Sequence, residues 1–382
     1  FATGVTLTGN VVFSTTNGAA TFAEVVDGTA DNDQNLTLNA GTGVVTFAKA
    51  LGAVKKLGDV VANSTGATKF QGAVLAKSLT TNAGGSTELS ADVTTTAAQS
   101  FGDALSLKNN IILSGTDITL AQTVNSDAAL TKRTLQVTGS GVTTFGGIVG
   151  GTAELASLTV DGGGTTLLNA GTVTTAGAQS YTDAVTLGAD TTLVTTNSSV
   201  GFTSTLNSWA SLSAPATLSI TAGTGNITLG GIVGGATGGA LGAVTLVSAT
   251  NVGINAAFTA ASLTQQAGAG SGTTTIGGAT TLTGALGFAG GNLVINAAVG
   301  AGGAVSFTGS ALTVNAAVTA GGAVTVANPG TVTTSATGDI NATGAFTQSG
   351  TGANNLSGDI ATTGNISFLS AVELTGNIAA TA

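Results

Sequence analysis

A 19-residue repeat constrains the fold of this chain more than any other feature of its sequence. Residues 293–307, LVINAAVGAGGAVSF, recur 19 positions later as residues 312–326, LTVNAAVTAGGAVTV, with ten of fifteen positions identical. A longer relation joins residues 79–107 to residues 158–187. Self-similarity at so short a period predicts a stack of small similar units, each of which contacts its neighbours.

Within the repeats, apolar and polar residues alternate over four to six positions between Gly-Gly, Asn-Ala or Ala-Gly pairs. This alternation predicts short, half-buried strands. Helical periodicity is absent, and the 60 glycines would be unfavourable inside helices. A period of about 19–20 residues holds two or three short strands and their corners, so we predict an all-β fold, a parallel β-solenoid that forms an elongated rod. Arrays of immunoglobulin-like sandwiches repeat at a much longer interval.

The repeats extend over most of the sequence, so we expect residues 1–382 to form a single continuous β-solenoid. The first residue is Phe1 and the sequence contains no Met, which we interpret as a section or subunit of a longer repetitive assembly. Trp209 and Pro215 in the phrase NSWASLSAP mark the expected loop, and Pro329 marks a turn.

The charges are few and unevenly placed. All eight basic residues lie in the first 133 positions, and the 148 residues between Asp190 and Asp339 carry no charge. The formal net charge of -9 argues against binding to nucleic acid. No apolar stretch approaches the roughly 18 residues of a spanning helix, so we expect no membrane insertion. A neutral surface of Thr, Ser, Asn and Gly associates readily.

Candidate chemistry is sparse, because the sequence contains neither Cys nor His. A thiolate nucleophile, an imidazole base and the usual transition-metal ligands are therefore missing, and we expect no catalytic residue and no cofactor. The densest group of oxygen ligands is Asp27, Asp31 and Asp33 in VVDGTADNDQN. It is a weak candidate for a hard cation, and a solvated acidic loop is the preferred interpretation.

Paired carboxylates are what a carbohydrate-cleaving β-helix would need. Asp92 with Asp103 and Asp183 with Asp190 have comparable spacings, but each pair belongs to a repeated phrase. A catalytic site is expected once in a chain, so we predict that the protein is not an enzyme.

An aromatic residue followed by a branched apolar residue at +4 and Leu at +6 begins and ends the chain. The first copy lies in the phrase VTLTGNV and the last in VELTGNI. We interpret these as two assembly faces that stack head to tail or continue a longer chain. The copies are Phe1/Val5/Leu7, Phe101/Leu105/Leu107, Tyr181/Val185/Leu187 and Phe368/Val372/Leu374.

The phrases TLNAGTGVVTF and LTVNAAVTAGGAVTV, together with the stretch that begins GGIVGGTAELASLTVDGGG, resemble the repeat regions of large bacterial surface proteins of the filamentous haemagglutinin type. The similarity is one of repeat style and covers most of the chain. It implies a right-handed parallel β-helix, secretion to the bacterial cell surface, and an adhesive or filamentous role. The sequence departs from that family in lacking an Arg-Gly-Asp tripeptide.

These observations lead us to expect an extracellular structural protein, either part of a surface adhesin or the subunit of a self-assembling filament. Its partners would be further coils of the same kind and a cell-surface or glycan receptor. The alternative is a β-helix protein that binds or cleaves carbohydrate.

Overall fold

The computed structural model describes residues 1–267 and 272–382. In these residues there is no helix, 51% of the chain is strand, and parallel strands stack as a β-solenoid of about 18 turns. The predicted all-β solenoid is thereby confirmed. The contacts between residues divide the chain into two compact units, Phe1–Thr186 and Leu187–Ala382, which are described separately. That residues 1–382 form one continuous solenoid stays a prediction.

In the N-terminal unit, each turn passes through three parallel sheets, which we call sheets 1, 2 and 3. Sheet 1 contains Val5–Leu7, Val26–Gly28, the start of Val74–Thr81, Val93–Thr95, Ile111–Gly115, Thr134–Gly139, Ser157–Asp161 and Gln179–Tyr181. Sheet 2 contains Val11–Ser14, Leu36–Gly41, Leu57–Ser64, the end of Val74–Thr81, Gln99–Phe101, Ile118–Leu120, Val142–Phe145, Thr165–Leu168 and Ala184–Leu187. Sheet 3 contains Ala20–Phe22, Val45–Phe47, Ala67–Phe70, Ser86–Leu89, Ala104–Leu107, Val124–Ser126 and Thr172–Thr175.

The C-terminal unit also passes through three parallel sheets, sheets 4, 5 and 6. Sheet 4 contains Thr191–Thr195, Leu218–Thr221, Leu241–Ser248, the end of Phe258–Gln265, Leu286–Phe288, Val305–Phe307, Val324–Val326, Phe346–Gln348 and Ile366–Phe368. Sheet 5 contains Val200–Phe202, Ile227–Leu229, Val252–Ile254, Thr273–Ile276, Asn292–Ile295, Leu312–Val314, Val332–Thr334, Asn354–Leu356 and Val372–Leu374. Sheet 6 contains Leu206–Ser208, the start of Phe258–Gln265, Thr280–Leu282, Val299–Ala301, Val318–Ala320, Ile340–Ala342, Ile360–Thr362 and Ala380–Thr381.

The register follows the repeat where the repeat is regular. Val299 pairs with Val318, 19 positions later, and Val318 pairs with Ile340. Elsewhere the turns are longer than the predicted 19–20 residues: Val26 bridges to Leu51, a step of 25. The strands stay paired across these longer turns, with local shifts of register where Leu36–Gly41 pairs with Leu57–Ser64 and where Leu218–Thr221 pairs with Leu241–Ser248. A uniform period therefore describes only part of the chain.

The interior is built from stacked copies of the same residue types. Phe22, Phe47 and Phe70 occupy successive turns of sheet 3, with ring centroids 5.2 and 5.3 Å apart and at most 1% of each residue exposed. Parallel pairing places inward side chains of adjacent turns directly above one another, so each ring covers the next. The strands are short and their inward residues are buried, which explains the alternation in the sequence.

Many corner Asn and Asp residues connect successive turns through a side-chain oxygen that accepts a backbone N–H of the next turn. The Asn35 backbone N–H donates to Asn10 Oδ1 at 2.9 Å, and the Asp59 N–H donates to Asn35 Oδ1 at 2.7 Å. In both cases the side-chain oxygen belongs to the earlier turn. These bonds satisfy corner N–H groups that no strand pairs. The same arrangement recurs at Asp92, Asn110, Asp117, Asp190, Asn251, Asp339 and Asp359.

The predicted loop and turn lie where the prolines mark them. Residues 209–217 form no strand, and Trp209 is 44% exposed. The Ala216 N–H donates to Ser208 Oγ at 2.8 Å, which closes the base of this loop. Pro329 lies in a bend between two strands. Among the described residues, no helix is long and apolar enough to cross a membrane.

Candidate functional site

The acidic cluster is held by the protein's own donors. Asp27 Oδ1 accepts the Val54 N–H at 2.8 Å, and Asp31 Oδ1 accepts the Lys56 N–H at 3.0 Å. This backbone bond lowers the pKa of Asp31. Asp33 Oδ2 accepts the Gln34 side-chain amide at 2.7 Å. In the part of the chain that the structure describes, no group of three carboxylates is arranged to hold a metal ion.

Asp103 is a buried carboxyl at the corner between sheets 2 and 3. It is 2% exposed, its Oδ1 accepts the Gly85 N–H at 2.7 Å, and its Oδ2 accepts the Thr87 hydroxyl at 3.3 Å. Burial raises the pKa of Asp103 and outweighs the two hydrogen bonds, which act in the opposite direction. Both bonds join Asp103 to the preceding turn, so the carboxyl holds the corner together.

Asp103→Asn is expected to become more stable relative to the wild type as the pH rises from about 3 to 7. A raised folded-state pKa means that this carboxyl's contribution to stability is fully present below its ordinary pKa and is lost as the pH rises through the raised value. Asparagine keeps an acceptor for Gly85 and carries no charge. Urea unfolding of both proteins across this range measures the difference, in which the contributions of all other groups cancel.

Asp92→Asn provides the matched control. Asp92 is exposed and accepts one backbone N–H, that of Ile112, at 2.8 Å. We expect its unfolding free energy to follow that of the wild type closely. If the difference in unfolding free energy between Asp103→Asn and wild type does not change with pH, Asp103 is not a buried carboxyl whose surroundings disfavour the charged form.

A corner built around a buried Gln side chain occurs twice in the N-terminal unit. Its hydrogen bonds were not predicted from the sequence. Gln99 Nε2 donates to the Val93 carbonyl at 3.2 Å and contacts Thr95 Oγ1 at 3.3 Å. Gln179 makes the same two bonds, to Val173 and to Thr175. The signal for this motif is the shared phrase Ala-Gln-Ser followed by an aromatic residue.

The two copies of that phrase lie on different sheets. Gln99–Phe101 belongs to sheet 2, and Gln179–Tyr181 belongs to sheet 1. Phe1 stacks on Phe22 of sheet 3 with a centroid distance of 4.7 Å, so it lies at yet another corner. The aromatic pattern found in the sequence therefore marks a residue that precedes a corner, and not one fixed position in the turn. Tyr181 is fully buried, and burial raises the pKa of its phenol.

At the N-terminal assembly face, Phe1 extends the aromatic stack of sheet 3 by one position. Its amino group donates to the Thr21 carbonyl at 2.8 Å, its carbonyl accepts the Ala23 N–H at 2.9 Å, and the residue is 56% exposed. Val5 is half-buried. Leu7, predicted to belong to this face, is only 2% exposed and lies inside the turn.

At the C-terminal assembly face, all three predicted residues retain exposed surface. Val372 is 40% and Leu374 64% exposed, and their strand pairs on one side with Asn354–Leu356. Phe368 is half-buried, and its ring centroid lies 5.3 Å from that of Phe346. Leu369 beside it is 74% exposed. These side chains form an apolar surface.

Among the described residues, the C-terminal unit contains a void and a groove. The first is a void of about 20 Å³ in the core, lined by Val318 and other apolar side chains. The second is a shallow groove of about 260 Å³ on sheet 6, lined by small neutral residues that include Thr319, Asn341, Thr343 and Thr363. The void is too small for a ligand. The accessible surface of the groove is mostly apolar, and the Thr363 hydroxyl donates to the Thr343 carbonyl.

No family model, no curated protein and no solved structure matches this chain.

Proposed function

We propose that this protein is an extracellular structural β-solenoid of a bacterial cell surface, without catalytic activity, whose terminal turns receive further turns of the same kind. The observation that carries the proposal is the parallel stacking of similar turns, in which the Val372–Leu374 strand pairs with Asn354–Leu356 and carries exposed apolar side chains. Open strand edges are templates for further pairing.

A second copy of this chain is the occupant that fits the C-terminal assembly face. In sequence, Phe1 and Val5 correspond to Phe368 and Val372. Locally they also correspond in structure, since each aromatic residue precedes a corner and each valine begins the next strand, Val5–Leu7 or Val372–Leu374. The first turn of one copy therefore offers the type of surface on which the last turn of another can stack. Head-to-tail contact of this kind is heterologous and produces open fibres.

Electron microscopy of the purified protein tests this proposal. We expect fibres that lengthen with protein concentration, and at least a tenfold loss of mean length in Val372→Lys, because its ammonium group would be buried in the contact. Val5→Lys probes the opposite face and should act in the same way. Ile112→Lys is the control, since Ile112 is an outward residue, 40% exposed, far in sequence from either end.

Short particles of uniform length at every concentration would overturn end-to-end stacking. Fibres that Val372→Lys and Ile112→Lys shorten equally would also contradict it. A denaturing gel of native material separates the two forms of the proposal. A band near 36.0 kDa indicates a filament subunit, and a much larger mass indicates a segment of an adhesin.

Carbohydrate binding is the second candidate, and the neutral groove on sheet 6 favours it. Uncharged hydroxyl and amide groups are suitable partners for a neutral sugar. Glycan-array binding that is lost in Asn341→Ala would support this function. Release of reducing ends from a bound polysaccharide would extend it to cleavage.

A further inference from the structure

Three buried polar side chains of the N-terminal unit each carry one atom that forms no hydrogen bond within residues 1–267 and 272–382. These atoms are Thr143 Oγ1, Thr166 Oγ1 and Asp183 Oδ2. Thr143 is 0%, Thr166 1% and Asp183 5% exposed. Buried polar groups are almost always hydrogen-bonded, so three unused atoms in one region indicate a bonding partner outside the chain.

The fold brings these three side chains to the same corner. Thr143 and Thr166 are register partners on adjacent strands of sheet 2, so their inward side chains stack one above the other. Asp183 directly precedes the next strand of that sheet, Ala184–Leu187. Its Oδ1 accepts the Gly163 N–H at 2.9 Å, which holds the carboxylate at the corner that leads into the strand of Thr166.

An earlier copy of this corner shows how the same residue types bond when they reach one another. In the longer repeat, Asp103 corresponds to Asp183. Asp103 accepts the Gly85 N–H through one oxygen and the Thr87 hydroxyl, at 3.3 Å, through the other. Thr87 corresponds to Thr166 and lies two residues after Gly85. In that copy the threonine and the carboxylate therefore satisfy each other.

The later corner is displaced by one residue. Gly163, the donor to Asp183, lies three residues before Thr166 instead of two. The carboxylate is thus anchored one position farther from the threonine, and its second oxygen does not bond the Thr166 hydroxyl. Gly139 lies beside the other hydroxyl, where a Cβ would come within 2.6 Å of Thr143 Oγ1. The position next to that hydroxyl is therefore kept free of a side chain.

We propose that this corner binds one water molecule, which accepts from the Thr143 and Thr166 hydroxyls and donates to Asp183 Oδ2. A buried water makes about three hydrogen bonds, which is the number of unused atoms here. Each threonine hydroxyl has a proton to donate, and an ionised carboxylate can only accept. A hard cation suits the corner less well, because it takes about six oxygen ligands and leaves both hydroxyl protons without an acceptor.

The water would connect successive turns, as the bond between Thr87 and Asp103 does at the earlier corner. A high-resolution crystal structure of the wild-type protein tests this directly. We expect one peak of density at about 2.6–3.2 Å from each of the three unused atoms. A direct bond between Asp183 Oδ2 and the Thr166 hydroxyl would overturn the proposal. A peak with about six oxygen ligands at roughly 2.3–2.6 Å would also overturn it, since that geometry belongs to a cation.

Thr143→Val tests the energetic role of the water, because valine keeps the shape of threonine and removes the hydroxyl. The water would lose one of its three bonds, so local opening of Val142–Phe145 and Thr165–Leu168 should become about five times more frequent. Native-state hydrogen exchange of these amides measures the opening. Thr166→Val should act similarly. The double variant should show less than the product of the two effects, because both hydroxyls bind the same water.

Thr68→Val is the matched control. Thr68 is the register partner of Thr87, is fully buried, and has a hydroxyl that likewise lacks a partner in the described chain. Thr87 and Asp103 bond each other there, so they offer Thr68 no unused atom with which to share a water. Removing this hydroxyl should leave the exchange of Ala67–Phe70 unchanged or slow it, because an unsatisfied buried group is costly.

Two results from the variants would contradict the water site. The first is a Thr143→Val protein whose exchange is unchanged or slower, as expected for Thr68→Val. The second is a double variant that shows the full product of the two single effects, since the hydroxyls would then act independently. Circular dichroism shows whether the variants are folded, and the wild-type crystal structure tests the site without them.

Discussion

Val318→Asp is expected to unfold the regular part of the C-terminal unit at neutral pH. Val318 is 3% exposed and pairs between Val299 and Ile340, so the new carboxylate would lie in an apolar stack without a partner. Burial of an unpaired charge, together with the loss of the valine contacts, should lower the free energy of unfolding by more than about 4 kcal/mol. Urea denaturation followed by circular dichroism measures the change.

Thr319→Asp is the control for this substitution, because Thr319 is the next residue of the same strand and points outward. It introduces the same side chain on the same strand, and its effect should stay within about 0.5 kcal/mol of wild type. Similar losses in the two variants would mean that Val318 and Thr319 do not lie on opposite faces of the strand. Partial recovery of Val318→Asp at low pH is expected, since protonation removes the buried charge.

The pairing of Val299 with Val318 could be predicted because a solenoid core selects the same kind of residue at each turn. An inward side chain touches its equivalents above and below, so conservation of size and polarity from turn to turn appears directly as a sequence repeat. Corners lack this constraint. They tolerate insertions such as the loop after Ser208, and the 25-residue step from Val26 to Leu51 has no signature in the period.

The sheet to which each recurring sequence phrase belongs could not be predicted, for a related reason. The sheets of a unit offer similar surroundings, with a short parallel strand, an inward apolar position and a tight corner. A phrase such as the one around Gln99 can therefore fit sheet 2 in one turn and sheet 1 eighty residues later, around Gln179. Sequence similarity identifies the local motif, and only pairing with the neighbouring turns determines its sheet.

The residues of the two predicted assembly faces differ in exposure for a physical reason that the pattern does not contain. Phe1 stacks on Phe22 and contacts Phe13 edge-on at 5.0 Å, so aromatic rings partly cover the first turn. At the other end Leu374 has no such cover and remains 64% exposed. The two copies of one motif thus differ in exposure because the residues around them differ.

The aromatic stack of sheet 3 provides the second large expected effect. Phe47 is 1% exposed and lies between the rings of Phe22 and Phe70, so Phe47→Ala removes two stacked contacts and leaves a cavity in the core. We expect a loss of about 3–5 kcal/mol in the free energy of unfolding. Because each turn contacts mainly its neighbours, the loss should be concentrated in nearby turns. Hydrogen exchange should therefore accelerate most in residues 20–70, with little change in residues 299–342.

Phe1→Ala separates the stacking contribution from a general effect of removing an aromatic ring. Phe1 stacks on Phe22, contacts Phe13 at the ring edge and is 56% exposed, so its loss should change the unfolding free energy by no more than about 1 kcal/mol. Phe47→Leu should fall between the two, since leucine fills most of the space and lacks the ring. Equal losses from Phe1→Ala and Phe47→Ala would show that the stack does not stabilise the N-terminal unit in the way its geometry indicates. Exchange that accelerates equally throughout the chain would show that stability is not local to neighbouring turns.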